Sequence, residues 1–152
     1  MIKYFRWLLI LAGSIFVIGL LYRAAFSWGF WAHKEINRQA IESLPSPLKD
    51  FFSANADYII EHSIEPDQRR FKDKNEQFYH YLDSDRYGAY PFSELPRDYD
   101  AAVKKFGVDS LSKNGLLPWR IVEIMEKLSE SMKVRKKEDI LFYAADLGHY
   151  VA

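Results

Sequence analysis

The chain contains no cysteine, and its 152 residues include only four histidines, six prolines and seven glycines. Without cysteine there are no disulfides, no cysteine-type zinc fingers and no thiol nucleophile. An excess of either charge is missing too, with 21 Lys and Arg against 21 Asp and Glu. A chain so balanced lacks the basic footprint with which proteins grip a nucleic-acid backbone, and it lacks a polybasic membrane-surface patch. No stretch alternates apolar and polar residues long enough to build a sheet, and there is no internal repeat, low-complexity tract or interdomain linker. What the chain does have is apolar side chains: 49% of residues are hydrophobic and 16% are aromatic. That is too apolar for a disordered chain and suits one compact core.

Acid is absent from the start of the chain, where the first carboxylate is Glu35. Residues 1–27 carry Lys3, Arg6 and Arg23; taking these three from the 21 basic side chains leaves 18 against 21 acids, so the remainder is negative. Lys3 and Arg6 precede an apolar run from Trp7 to Tyr22, broken only by Gly13, Ser14 and Gly19, and Arg23 closes it. The run is short for a relaxed membrane span of about 20 residues. It is followed by Ala25-Phe26-Ser27, with small residues at the two positions a signal peptidase reads. Residues 1–27 are therefore read as a signal peptide whose removal leaves Trp28 as the N-terminus. The alternative is an uncleaved anchor in the inner membrane with Arg23 at the interface. In either case the body, residues 28–152, is exported to a periplasmic or extracellular location. An exported chain without cysteine needs another staple, and metal is the evident substitute.

The body reads as all-α. Ala32, Ile36, Ala40, Ile41 and Leu44 recur at helical spacing. Ser46-Pro47 has the pattern of an N-cap followed by proline at the first helical position, opening a second helix through Ile60. Residues 64–95, with Pro66, Gly88 and Pro91, keep no sustained period and read as loop with short helical turns. Pro96 to Phe106 is a short helix closed by Gly107. Leu117, Ile121, Ile124, Met125, Leu128 and Met132 mark one face of a longer helix. The last helix begins near Lys137 and is still in phase at Ala152, without a glycine cap or polar tail, so the chain is expected to be truncated at its C-terminus.

Few side chains can carry chemistry. His33, His80 and His149, taken singly, each read as a hydrogen-bonded core histidine, and His62 as a helix-end residue suited to the negative end of the dipole. Asp67, in Pro66-Asp67-Gln68-Arg69-Arg70, has a guanidinium three residues on. That neighbour can hold one carboxylate oxygen while the other binds a metal, and the competing reading is an N-cap. Asp57 and Asp146 read as solvated or in helix-surface pairs, and Asp83 and Asp85 as turn residues or the outer surroundings of a metal.

Taken together these residues carry a resemblance. Trp28-Gly29, then His33, Asp67-x-x-Arg70, His80-Tyr81-Leu82-Asp83 and Leu147-Gly148-His149 follow the order and similar spacings of the zinc-dependent phospholipase C family. They look equally like the related single-strand-specific zinc nucleases. The resemblance spans Trp28 to the C-terminus, and its most specific element is the opening Trp-Gly with a histidine five residues after the tryptophan. It implies a multi-helical domain with three zinc ions in one cleft. Trp28 would bind one zinc through its free α-amino group and carbonyl, together with His33. Asp67, His80 and His149 would hold a second, with Asp67 as the catalytic carboxylate. Two departures stand out. Ala32 occupies a position where the family commonly has glycine, and the family's bridging aspartate, four residues after the His149-type histidine, would fall one residue past Ala152, so the 152 residues are expected to hold an incomplete site with fewer than three zinc ions.

The chemistry explains these residue types. Zinc takes imidazole nitrogen and carboxylate oxygen at about 2.0 to 2.2 Å and lowers the pKa of a bound water toward about 7. A terminal amine, with a pKa near 8, gives up its proton to a metal readily. The expected function is hydrolysis of a phosphodiester by zinc-activated water attacking phosphorus, with phospholipid and nucleic acid both open as substrate. Trp31, Phe78, Tyr79, Tyr81 and Tyr87 are aromatics that could stack bases or contact acyl chains, and such residues commonly also build cores. The alternative class is a membrane-anchored helical binding or structural domain without metal.

Overall fold

The computed structural model describes residues 29–152, and the proposed signal segment and Trp28 lie outside the described residues. The chain divides into two compact units, Met1–Ala32 and His33–Ala152. Among the described residues, helix α1 covers residues 29–43.

The second unit is all-α, with no strand among the described residues. After α1 come α2 (Leu48–Ser53), α3 (Ala56–His62) and α4 (Glu65–Arg69). Two 3₁₀ turns follow, Glu76–His80 and Ser84–Tyr87. Then come α5 (Tyr99–Phe106), α6 (Val108–Asn114), α7 (Leu117–Lys133) and α8 (Lys137–Val151). None of the described helices is long and apolar enough to cross a membrane.

Three sequence expectations are corrected. The single helix from Pro47 to Ile60 is two, because Asn55 turns its side-chain amide onto the Phe51 carbonyl at 2.7 Å and competes with the backbone ladder. Ser46 does not cap: Pro47 occupies the N-cap, and the turn already begins at Pro45, whose carbonyl accepts from the Lys49 N–H at 3.0 Å. Met125 and Met132 belong to the solvent side of α7, at 54% and 37% exposure. Each is one residue, about 100° of helix, past the buried Ile124 and Ser131. The short helix α6 lacks an apolar period long enough to read from sequence, and its seven residues bury only Leu111.

Two apolar clusters support the unit. In one, α1, α2, α3 and α8 bring together Ile41, Phe52, Ile59, Ile140, Leu141 and Ala145, with Leu128 of α7 against them. In the other, Tyr87, Ala102, Leu111, Leu116 and Trp119 pack together, flanked by Phe78, Tyr79 and Phe106. α8 packs along α7 and α3. Its far end turns polar: Asp146, His149 and Tyr150 are all buried. They fall within an arc of about 100° around the helix, on one face.

Candidate metal centre

Four elements supply the centre. His33 comes from α1, Asp67 from the first turn of α4, His80 from the end of the first 3₁₀ turn and His149 from α8. The approach of α1 to α8 depends on Gly148. A Cβ there would lie 1.9 Å from the Oδ1 of Asn37, which is itself buried and donates to the His33 carbonyl at 2.9 Å. With hydrogen at that position the His33 and His149 rings stack, centroids 4.1 Å apart. The loop bearing His80 is fixed in a similar way. Gly115, at φ +94°, lets its backbone pass against Tyr81, whose carbonyl oxygen a Cβ would meet at 2.1 Å. The N–H groups of Leu116, Leu117 and Asp83 bond to Phe78, Tyr81 and Asn114 at 2.6, 3.2 and 2.7 Å.

His33, Asp67 and His149 each offer one ligand atom, and the three atoms lie within 4.8 Å of one another. The Asp67 carboxylate faces two ways. Its Oδ2 is 3.7 Å from His33 Nε2, while its Oδ1 is 3.6 Å from His80 Nε2 and accepts from Arg70 Nη1 at 3.3 Å. Asp67 is not an N-cap, since Ile64 holds that position on α4. The compact trio therefore pairs His33 with Asp67 and His149, whereas the resemblance groups His80 with those two and puts His33 on a separate ion. His80 meets the cluster on the other oxygen of Asp67, its ring 5.1 Å from that of His149.

The histidines are held in a ligand-ready form. His149 Nδ1–H donates to the Ser63 carbonyl and His80 Nδ1–H to the Glu76 carbonyl, both at 2.8 Å, which leaves each Nε2 with its lone pair toward the cluster. Burial, with His33 beside it, pushes the His149 imidazole down to about 4, and burial lowers that of His80 as well. Neutral imidazole is the form that binds metal. Among the described residues, His80 Nε2 and His33 Nδ1 are buried without a hydrogen-bond partner. An unpaired buried nitrogen is costly, and a cation of the zinc type matches two or three imidazoles and a carboxylate. On chemistry and on these orphaned atoms, the donor set fits a metal ion.

Other sequence candidates lie elsewhere. His62 bonds Glu65 at 2.5 Å and stacks on Tyr58. Asp85 is exposed, and Asp83 sits at the turn before the second 3₁₀ segment. Tyr87 is core, packed edge-on to Phe106. Asp146 is not a surface residue, as the sequence reading had it. It is 2% exposed and accepts two bonds from Arg69, at 3.1 and 2.7 Å. The Tyr150 hydroxyl donates to buried Glu76. Arg69 Nε lies 3.5 Å from Glu76, and Arg120 Nη2 lies 4.0 Å from Asp146. Sequence reasoning singled out neither Arg69 nor Glu76 and misplaced Asp146, although an acid in the apolar run Ile140–Leu147 was a usable signal, because such a charge must find a partner. No family model, curated protein or solved structure matches the chain.

Proposed function

We propose that this chain belongs to a zinc-dependent phosphodiester hydrolase of the phospholipase C and single-strand nuclease type, exported by its first 27 residues. The observation that supports this reading is the meeting of His33, Asp67 and His149 donors within 4.8 Å, from three separate helices. His33, Asp67 and His149 would hold one ion, and His80 would serve the opposite oxygen of Asp67. A zinc ion so held supplies a Lewis acid and lowers the pKa of water into the neutral range.

The protein's own groups do the rest. Ser63 and Glu76 fix the tautomers of His149 and His80 through their carbonyls. Arg70, about half exposed, holds one oxygen of Asp67. It also sets a permanent positive charge at the edge of the cluster, where an anionic phosphodiester would meet it. The three-helix origin of the donors is consistent with the multi-helical fold implied by the resemblance.

The test is zinc content and catalysis together. Purified protein should carry zinc by elemental analysis and lose it in His149→Ala, and where the bridging aspartate implied by the resemblance is also present it should hydrolyse a chromogenic phosphodiester, with hydrolysis abolished by a chelator and restored by zinc. Phosphatidylcholine vesicles and single-stranded DNA, compared as substrates, separate the two branches of the proposal. Protein that takes up no zinc would return the histidines to the role of core residues and favour a metal-free helical binding domain.

A further inference from the structure

Arg69, Glu76, Asp146 and Tyr150 form a polar group on the protein side of the histidines, and the centre does not need them as ligands. Their placement is specific. Arg69 follows Asp67 by two residues on α4, and Asp146 precedes His149 by three on α8, so the two-pronged Arg69–Asp146 pair bolts the carboxylate's helix to the imidazole's helix. Glu76 begins the 3₁₀ turn that ends in His80, and Tyr150 is the neighbour of His149, so the Tyr150–Glu76 bond ties the third ligand-bearing element to the same helix. The Tyr150 ring also touches the rings of His80 and His149, at 5.3 and 5.2 Å between centroids.

Stability alone is a poor reason to keep such a group. A buried ion pair commonly does no better than well-packed apolar residues of the same volume, because both charges lose their water. Its best-attested use is to fix register, since it fits at one relative position of the two elements and is costly at every other. α4 especially needs such a fix, because its five residues bury only Pro66.

We propose that the Arg69–Asp146 and Glu76–Tyr150 pairs are positioning groups that set Asp67, His80 and His149 at the mutual distances a metal ion requires. They act through the elements they join, and none of the four touches the ion. The inference rests on the metal-binding reading above.

The experiment compares Asp146→Asn, Glu76→Gln and Tyr150→Phe with Leu111→Ala, which lowers stability in the other apolar cluster. Two readouts are taken on folded protein: the Co²⁺ dissociation constant and d–d absorption spectrum, and the ring-nitrogen chemical shifts of the histidines in the metal-free state. Asp146→Asn should raise the Co²⁺ dissociation constant by about 10- to 100-fold, as loss of groups that orient ligands typically does. Tyr150→Phe should raise it less, and Leu111→Ala should leave affinity and spectrum as in the wild type. In the metal-free protein the network variants should lose the Nδ1–H signature at His149 or His80, and Leu111→Ala should keep it. Unchanged affinity and tautomers in the three network variants would overturn the proposal, as would an equal loss in Leu111→Ala. If wild-type protein binds no Co²⁺ or Zn²⁺, the hydrolase reading fails and the proposal with it, whereas binding by wild type with network variants unchanged removes the positioning role alone.

Discussion

Two buried regions of the second unit follow opposite rules. The one around Leu111, Ala102 and Trp119 closes by apolar contact, and Ala102 and Leu111 have no exposed surface. The end of α8 instead buries a carboxylate, a histidine and a tyrosine, and faces a second carboxylate and two guanidinium groups. Burial pushes the Asp146 carboxyl up from its usual range, against the pull of Arg69. An apolar cluster tolerates small shifts of its members, while a set of directional bonds permits one arrangement. The contrast teaches that this protein assigns ordinary packing and geometric precision to different groups of side chains.

Perturbations should therefore separate the two regions. The largest effect is expected from His149→Ala, which should weaken zinc binding by more than about 100-fold, beyond what loss of an orienting neighbour causes; isothermal titration with zinc reads it. Leu111→Ala should do the reverse, lowering unfolding free energy by about 2–5 kcal/mol in denaturant titration while zinc affinity of the folded protein is kept. Gly148→Ala should affect both properties, because the added methyl overlaps the buried Asn37 amide, which holds the His33 carbonyl. A loss of about 1–3 kcal/mol is expected from the overpacking, with weaker zinc binding through His33.

Acid should distinguish the regions without mutation. His149, at about 4, and His80 both sit below the unfolded value of about 6.5, so the unfolded chain takes up these protons first as pH falls. Metal-free protein should hold its stability from these groups above about pH 6.5 and lose it between there and about pH 4. The slope is up to about 1.4 kcal/mol per pH unit for each proton, and His149→Ala should flatten it. Least of all, Met125→Gln on the outer side of α7 should change stability by no more than about 0.5 kcal/mol in the same titration.

The helices were legible wherever a long apolar stripe recurs, as on α7 and α8, because burial of one face leaves a period in the sequence. The break at Asn55 was not, since it turns on one side-chain amide finding the Phe51 carbonyl. Likewise α6 is too short to show a period. His33, Asp67, His80 and His149 attract attention as rare residue types in patterned surroundings, and the fold sets them side by side. How they group does not follow from spacing, because the stack of His33 on His149 depends on the absence of a side chain at Gly148. The Arg69–Asp146 pair joins residues 77 apart, and a bond of that range leaves no local trace beyond an acid among apolar neighbours.

The close passage at Gly115 has a kinetic consequence. Residues 76–83 form no regular helix or strand beyond a single 3₁₀ turn, and by that measure their amides should exchange with solvent as a surface loop's do. Yet the segment is sewn along one side to residues 114–117 by three backbone bonds, and within it the His80 ring holds the Glu76 carbonyl. Opening it requires these bonds to break together, so the amides of Asp83, Leu116 and Leu117 should exchange on the slow timescale of the helical core. The segment that carries His80 thus moves as scaffold, and the imidazole it presents is held in place.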